Sequence, residues 1–178
     1  MLPENIVSYV ARFQGRMLAT GSRVICNPAP TDTDEDWVVQ ITSLERLKLF
    51  RDFLEEDDWS RDKGEGYDND STADLFNEDA ELSSFASFKK QVDETTYNIL
   101  LVGSHAAFRL WTTATGLAKA MNLTTKTERV ELFRAILYNE CPYTPPSLSL
   151  EVTDIRMEGS FFPFTSGMVY QFKEKTDG

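Results

Sequence analysis

Apolar residues recur along the first half of the chain at spacings typical of helices and strands in turn. Residues 4–18 repeat at three- and four-residue steps, which predicts an amphipathic helix that Gly21 ends. A dense apolar run at residues 36–41 predicts a short buried strand. Residues 42–45 then have the spacing of a capping box, and the apolar positions of residues 44–54 predict a second helix.

The second half of the chain predicts two more strands and two more helices. Residues 85–89 and 97–102 are largely apolar and are separated by a polar turn, as in a pair of strands. Helical periodicity covers residues 108–121 and 127–138, and their short connection indicates that the two helices pack as a hairpin. Ser104 precedes the first of them and is predicted to be its N-cap.

These elements predict an α+β fold with one mixed sheet flanked by helices. Alternating apolar positions at 148–152 and 168–172 add a terminal β-hairpin or edge strands. Because no repeat or linker divides the chain, we expect a single domain over residues 1–178, with a C-terminal extension at 141–178. The Asp-, Glu- and Gly-rich residues 55–81 predict an acidic loop or lid.

Composition narrows the classes of partner. The 178 residues include 41% hydrophobic ones, enough for a core, and carry a formal net charge of −11. Direct binding to duplex nucleic acid is not expected, because neutralising phosphates requires clustered Lys and Arg. No run approaches the roughly 18 apolar residues of a membrane-spanning helix, so no membrane is expected. Two cysteines and no leader-like N-terminus indicate a cytoplasmic setting.

One short motif carries the candidate chemistry. Gly21-Ser22-Arg23 is typical of a turn in which backbone amides and a small hydroxyl can approach a phosphate, and the arginine adds a charge. Asp34-Glu35-Asp36 follows and leads into the apolar strand. Residues at i and i+2 share a face of a strand, so both aspartates can hold one divalent metal. Carboxylate oxygens favour Mg²⁺ or Mn²⁺.

The order of Gly-Ser and then Asp-x-Asp at the start of a strand resembles the signature of the nucleotidyltransferase superfamily. Residues 85–90, 97–102 and 108–138 are similar in order and pattern to predicted nucleotidyltransferases of tailed bacteriophages. The resemblance implies a minimal nucleotidyltransferase fold with magnesium and an NTP as ligands. It further implies transfer of a nucleoside monophosphate to a hydroxyl of a protein, an RNA end or a small molecule. If the chain is phage-encoded, the setting is the host cytoplasm.

The motif assigns roles to individual residues. Asp34 and Asp36 are the expected metal ligands and catalytic residues, while Gly21-Ser22-Arg23 is expected to bind the phosphates. Lys89, at the end of a strand, is a further candidate for the triphosphate, although lysines there more often mark a solvated edge. The basic residues at the start of the last helix, Lys126 and Arg129, are subject to the same alternative.

Asn98 departs from the pattern of the active superfamily members, which place a third carboxylate on a central strand beside the aspartate pair. An amide can ligate through its carbonyl oxygen, but it brings no charge and accepts no proton at neutral pH. Asp93 and Glu94 would supply the missing group if the strand began earlier. A second hypothesis therefore stands beside the first: a catalytically degenerate nucleotidyltransferase fold that binds a nucleotide or a host protein, as a phage accessory or counter-defence factor.

Overall fold

The computed structural model describes the chain in full at residues 1–31, 34–63, 66–69 and 71–138. For residues 150–161 and 165–174 the backbone alone is described. The strands are β1 (Arg16–Thr20), β2 (Glu35–Gln40), β3 (Ser60–Asp62), β4 (Phe85–Val92), β5 (Thr95–Val102), β6 (Leu150–Phe161) and β7 (Thr165–Glu174). The helices are α1 (Glu4–Arg12), α2 (Ser22–Ile25), α3 (Leu44–Glu56), α4 (His105–Met121) and α5 (Lys126–Tyr138).

Five of the strands form one mixed sheet in the order β1-β2-β5-β4-β3. β2 and β5 are parallel, whereas β1 with β2, β4 with β5, and β3 with β4 are antiparallel. Helices cover both faces, so the predicted α+β fold with one mixed sheet flanked by helices is confirmed. The pairing of β2 with β5 joins two segments that are far apart in the sequence.

Both faces of the central strands are buried, which explains their continuous apolar runs. On one face, Val38 and Leu100 pack with Trp111 of α4 and Phe133 of α5. On the other face, Ile99 packs in a second core with residues of α1 and α3. The sheet therefore separates two cores, and the start of β2 lies at the margin of the core formed with α4 and α5.

The N-terminal helix is shorter than the apolar spacing predicts. α1 ends at Arg12, and residues 17 and 18 lie in β1, so the prediction of one helix over residues 4–18 was wrong in its second half. Gln14 has a φ of 56°, a left-handed conformation that stops a helix. At Gly15 a Cβ would lie 2.6 Å from the carbonyl oxygen of Gln40, so the chain turns tightly against β2 there. Gly21 consequently follows a strand and not a helix.

The acidic residues 55–81 are partly regular structure. The range includes the end of α3 and the edge strand β3. Trp59, Leu75 and Phe76 are buried and pack in the core beside α1 and α3. These apolar anchors tie an otherwise polar segment to the protein.

The helical hairpin predicted for the second half is confirmed. The Ser104 hydroxyl accepts a hydrogen bond from the backbone N–H of Ala107 at 3.0 Å, which makes it the N-cap of α4. Asn122 ends the helix in a left-handed conformation. The rings of Trp111 and Phe133, 5.6 Å apart, then join α4 to α5.

β6 and β7 form an antiparallel pair and a second, two-stranded sheet, which confirms the predicted terminal hairpin. The rest of the expected C-terminal extension, at 141–149, 162–164 and 175–178, lies outside the described residues, as do residues 139 and 140. Within the described part of the chain, no helix combines the length and the apolar character needed to cross a membrane.

Candidate active site

The side chains of the aspartate motif lie at the beginning of β2. Asp36 is opposite Thr20 of β1 on one side and opposite Asn98 of β5 on the other. Lys89 of β4 is in turn opposite Asn98. Residues in register on neighbouring strands share a face of the sheet, and so do residues two apart on one strand. Asp36, Asn98 and Lys89 therefore belong to the face covered by α4 and α5, and Asp34 directly precedes β2, which begins at Glu35.

A cleft of about 280 Å³ opens at this end of the sheet. Four separate segments of the chain line it, through Gly21, Ser22, Asp34, Asp36, Tyr67, Lys126 and Arg129. An inner cavity of about 20 Å³ shares Gly21, Asp36 and Tyr67 with the cleft and extends to Asn98. Small-molecule sites usually measure about 300–1,000 Å³, so the cleft is close to the lower end of that range.

Gly21 joins β1 to α2 in a conformation that other residues rarely adopt, with φ 79° and ψ −173°. A Cβ at this position would lie only 2.0 Å from Oδ2 of Asp36 and 2.8 Å from its Cγ. Glycine therefore permits both the turn and the close approach of the carboxylate to the backbone. The glycine and the second aspartate of the motif are in direct contact, although they are 15 positions apart in the sequence.

Asp34 is paired with a cation from another strand. Nζ of Lys89 lies 3.5 Å from Oδ2 of Asp34 and 3.3 Å from Oδ2 of Asp62 in β3. Lys89 does not belong to the lining of the cleft, but it contacts a carboxylate that does. Its predicted contact with a nucleotide stays a prediction.

Asn98 is buried, and its Oδ1 accepts a hydrogen bond from the Ser87 hydroxyl at 2.9 Å. The alternative acidic residues, Asp93 and Glu94, are exposed in the turn between β4 and β5. Neither of them lines the cleft. The Asn98 amide therefore occupies the place beside Asp36 on the neighbouring strand.

The cleft fits a metal ion that is held partly by a substrate better than one that is held by protein side chains alone. Among the fully described residues, no group of three or more His, Cys, Asp or Glu could hold a metal ion. Asp34 and Asp36 nevertheless both line the cleft. Because Mg²⁺ is commonly held by one or two carboxylates together with substrate phosphates and water, this pair suits an ion that arrives with a nucleotide.

Arg23 and Glu35 form a separate ionic group beside the motif. Nη1 of Arg23 lies 3.8 Å from Oε2 of Glu35, and Arg23 does not line the cleft. Glu35 also accepts hydrogen bonds from the N-terminal ammonium of Met1 and from the Trp37 indole. Burial raises the pKa of Glu35, but these hydrogen bonds and the nearby positive charges outweigh it and leave the pKa below its usual value. The predicted contact of Arg23 with phosphate stays a prediction.

The start of α5 contributes positive charge to the cleft. Arg129 is only 9% exposed, and its Nη1 donates a hydrogen bond to the carbonyl of Leu123 at 3.1 Å. The same nitrogen lies 3.2 Å from Sγ of Cys26, which is 103 positions away in the sequence. Arg129 and Lys126 both line the cleft, but Arg129 is buried whereas Lys126 is exposed, as expected at a solvated helix start. The local sequence does not distinguish a buried cleft position from a solvated helix start, because the packing of α5 decides between them.

Tyr67 is a cleft residue that the sequence did not reveal. Its ring packs against Trp111 of α4 and Phe133 of α5, at centroid distances of 5.8 and 5.3 Å. It also lines both the cleft and the inner cavity. An aromatic residue within an acidic, Gly-rich stretch was the available signal, because such a residue is costly to leave exposed.

Two side chains of α5 hold the Tyr67 segment by its backbone. The Tyr138 hydroxyl donates to the carbonyl of Tyr67 at 2.6 Å. Nη1 of Arg134 donates to the carbonyls of Gly66 and Asp68, at 3.2 and 2.7 Å. This part of the acidic segment is thus fixed to α5 as one wall of the cleft.

Tyr138→Phe should loosen this wall. The change removes the donor to the Tyr67 carbonyl, and a hydrogen bond of this kind contributes about 0.5–1.5 kcal/mol. We expect faster amide hydrogen exchange at residues 66–69, measured by mass spectrometry. Tyr9→Phe is the matched control, because the Tyr9 hydroxyl makes no hydrogen bond within the described residues while its ring stacks on Phe53. Equal exchange at 66–69 in both variants would contradict the anchoring role.

A larger cavity of about 390 Å³ lies elsewhere, beside the first turns of α3 and α4. The residues that line it include Leu47, Leu75 and Glu78, and none of the described lining residues is basic. Glu78 and Glu81 give it carboxylates, but its described lining has no cation to face them, as Arg129 and Lys126 face the aspartates of the cleft. We place the candidate chemistry in the smaller cleft for that reason.

No protein-family model matches the chain, and no curated protein matches it in sequence. Among solved structures, the chain is similar to terminal uridylyl transferase 4 from Trypanosoma brucei with bound CTP, at 13% identity and a TM-score of 0.39. The alignment covers 65% of this chain and 36% of that one, so the chain spans about a third of that protein's length. We base the functional proposal on the residues of the cleft.

Proposed function

We propose that this protein is a metal-dependent nucleotidyltransferase that moves a nucleoside monophosphate from an NTP to a hydroxyl acceptor. The observation that carries the proposal is the cleft in which Asp34 and Asp36 lie with Arg129 and Lys126. Carboxylates and cations that line one cleft suit a ligand made of phosphates and divalent metal, since each component has its own partner.

The phosphates are the part of the substrate that the cleft recognises best. The guanidinium of Arg129, fixed through Leu123, offers a charged donor that loses little freedom on binding. Lys126 adds a second charge, and Ser22 adds a hydroxyl beside the Gly21 turn. Tyr67 contributes an aromatic wall whose ring is already held in place before any ligand binds.

Asp34 and Asp36 would hold Mg²⁺ or Mn²⁺, with the Asn98 carbonyl oxygen behind them. When bound, such an ion would neutralise phosphate oxygens and favour attack at phosphorus. In the proposed reaction, a bond forms between the acceptor oxygen and the α-phosphorus. The bond from the α-phosphorus to the oxygen that bridges it to the β-phosphorus breaks, the hydroxyl proton of the acceptor passes to water, and pyrophosphate leaves with the bridging oxygen. Asp36, whose carboxylate lies against Gly21, would keep one negative charge in the cleft where the ion binds.

The proposal is tested with purified protein, each of the four α-³²P-labelled NTPs and Mg²⁺. Candidate acceptors are the protein itself, short RNA ends and small hydroxyl compounds. We expect label on one acceptor class and release of pyrophosphate, both of which stop in EDTA. If isothermal titration shows no NTP binding in Mg²⁺ and no label moves, the proposal is wrong.

A second candidate function is nucleotide or partner binding without turnover. Asn98 favours it, because this buried amide already accepts from Ser87 and cannot accept a proton at neutral pH. The net charge of −11 adds an acidic surface for a basic partner, such as a host protein. Under this alternative, the protein binds Mg²⁺-NTP but releases no pyrophosphate with any acceptor. The same labelling experiment therefore separates the two candidates.

A further inference from the structure

The charge on Asp34 is already shared before any metal arrives. Lys89 lies 3.5 Å from Oδ2 of Asp34, and its side chain is only 30% exposed. The same ammonium lies 3.3 Å from Asp62, so it is held between two carboxylates. An ammonium in such a place occupies part of the space and field that a divalent ion at Asp34 would use.

The β-sheet register fixes this arrangement. Lys89 is opposite Asn98, and Asn98 is opposite Asp36, so the three lie in line across β4, β5 and β2. Ser87, two residues before Lys89 on β4, donates a hydrogen bond from its hydroxyl to Oδ1 of Asn98 at 2.9 Å. β4 therefore carries both Lys89, which pairs with Asp34, and Ser87, whose hydroxyl is bonded to the Asn98 side-chain oxygen.

Among the described residues of the cleft, few negative charges are available to a metal ion. Two divalent ions about 3.5–4 Å apart carry four positive charges and need several anionic ligands between them. The cleft offers the carboxylates of Asp34 and Asp36, with Asp34 partly neutralised by Lys89. Asn98 brings no charge. This set suits one divalent ion beside Asp36 and not two.

We propose that the Lys89 ammonium takes the place of a second divalent ion at Asp34, so that the protein binds a single divalent ion together with its nucleotide. The inference rests on the proposed function, because that proposal supplies the nucleotide that binds with the ion. Under this inference Lys89 has a positioning role, because Lys89 acts through Asp34. The sequence instead predicts a direct contact of Lys89 with the triphosphate. The ion at Asp36 and the ammonium at Asp34 then share the neutralisation of the substrate phosphates.

The test is a titration with Mn²⁺ followed by the electron paramagnetic resonance signal of the free ion, with and without a non-hydrolysable NTP analogue. For the natural sequence we expect one Mn²⁺ per chain in the presence of the analogue. Lys89→Met should bind a second Mn²⁺, or bind Mn²⁺ about tenfold more tightly without nucleotide, because Asp34 and Asp62 lose their counter-ion. Lys89→Arg, which keeps the charge, should behave as the natural sequence does.

Lys90→Met is the matched control for loss of charge. Lys90 lies next to Lys89 but pairs with Asp57 after α3, with Nζ 3.4 Å from Oδ1. We expect its Mn²⁺ binding to equal that of the natural sequence, and thermal unfolding of each variant checks that it is folded. Two Mn²⁺ ions in the natural sequence, or equal binding in Lys89→Met and Lys90→Met, would overturn the inference.

The two proposals fail in different ways. Absence of nucleotide binding would defeat the proposed function, but the comparison of Mn²⁺ affinities without nucleotide would still measure the effect of Lys89. Conversely, nucleotide transfer by a protein whose Mn²⁺ binding is insensitive to Lys89→Met would leave the proposed function standing and the role of Lys89 refuted.

Discussion

Asp36→Asn should reduce nucleotide transfer on the order of a thousandfold and weaken NTP binding in Mg²⁺ by at least about tenfold. The substitution keeps the shape of the side chain but removes the charge that faces the cleft. Asp36 lies in contact with the Gly21 turn and opposite Asn98, so the variant would have two neutral amides where the proposed ion requires an anion. The remaining carboxylate, Asp34, is already paired with Lys89.

The measurements are initial rates of pyrophosphate release and titration calorimetry with an NTP analogue in Mg²⁺. Asp93→Asn is the matched control, because it makes the same chemical change in the exposed turn between β4 and β5. Asp93 has a φ of 55°, which asparagine tolerates well, so neither stability nor binding should change. Transfer and binding in Asp36→Asn at the level of the control would show that the cleft is not the active site.

Gly21→Ala should damage the site and the fold together. Its φ of 79° with ψ of −173° strains any residue with a Cβ, at a cost of about 1–3 kcal/mol. The added methyl group would also lie 2.0 Å from Oδ2 of Asp36, so the carboxylate must leave its position. We expect Tm to fall by roughly 4–10 °C and NTP binding to be lost by more than about tenfold.

Gly116→Ala provides the contrasting result. Gly116 lies within α4, and a Cβ there would meet nothing within 4 Å. Alanine is favoured over glycine inside a helix by about 1 kcal/mol, so this variant should be slightly more stable and bind NTP normally. Calorimetric unfolding and the same NTP titration measure both glycine variants. A Gly21→Ala protein with unchanged Tm and affinity would show that neither the backbone conformation nor the contact with Asp36 matters.

Local sequence patterns were sufficient for most of the elements. The apolar runs of β2 and β5 and the helical periodicities of α3, α4 and α5 lie close to their observed positions. The error at the N-terminus has a simple cause, because two adjacent apolar residues at 17 and 18 fit a helix and a strand equally well. A tight turn at residues 13–15 ends α1 and brings Gly15 against the Gln40 carbonyl at the end of β2, a contact that the local apolar pattern does not record.

The sequence by itself determined the half of the site that is local. A glycine before a serine, and two aspartates two apart at the start of a strand, encode a turn and a shared face, because both depend on backbone geometry over a few residues. It was also sufficient to identify Asn98 as an uncharged residue on a central strand. These features explain why Asp34 and Asp36 are found together on one cleft.

Only the tertiary structure decided what surrounds the aspartates. Arg129 and Tyr67 line the cleft because α5 packs on the sheet and holds residues 66–69, and Lys89 contacts Asp34 because β4 follows β5 in the strand order. The spacing of apolar residues shows which face of each segment is buried, but it does not show which segments become neighbours. The choice of neighbours depends on the packing of whole elements, and that packing sets the balance of charge around Asp34 and Asp36.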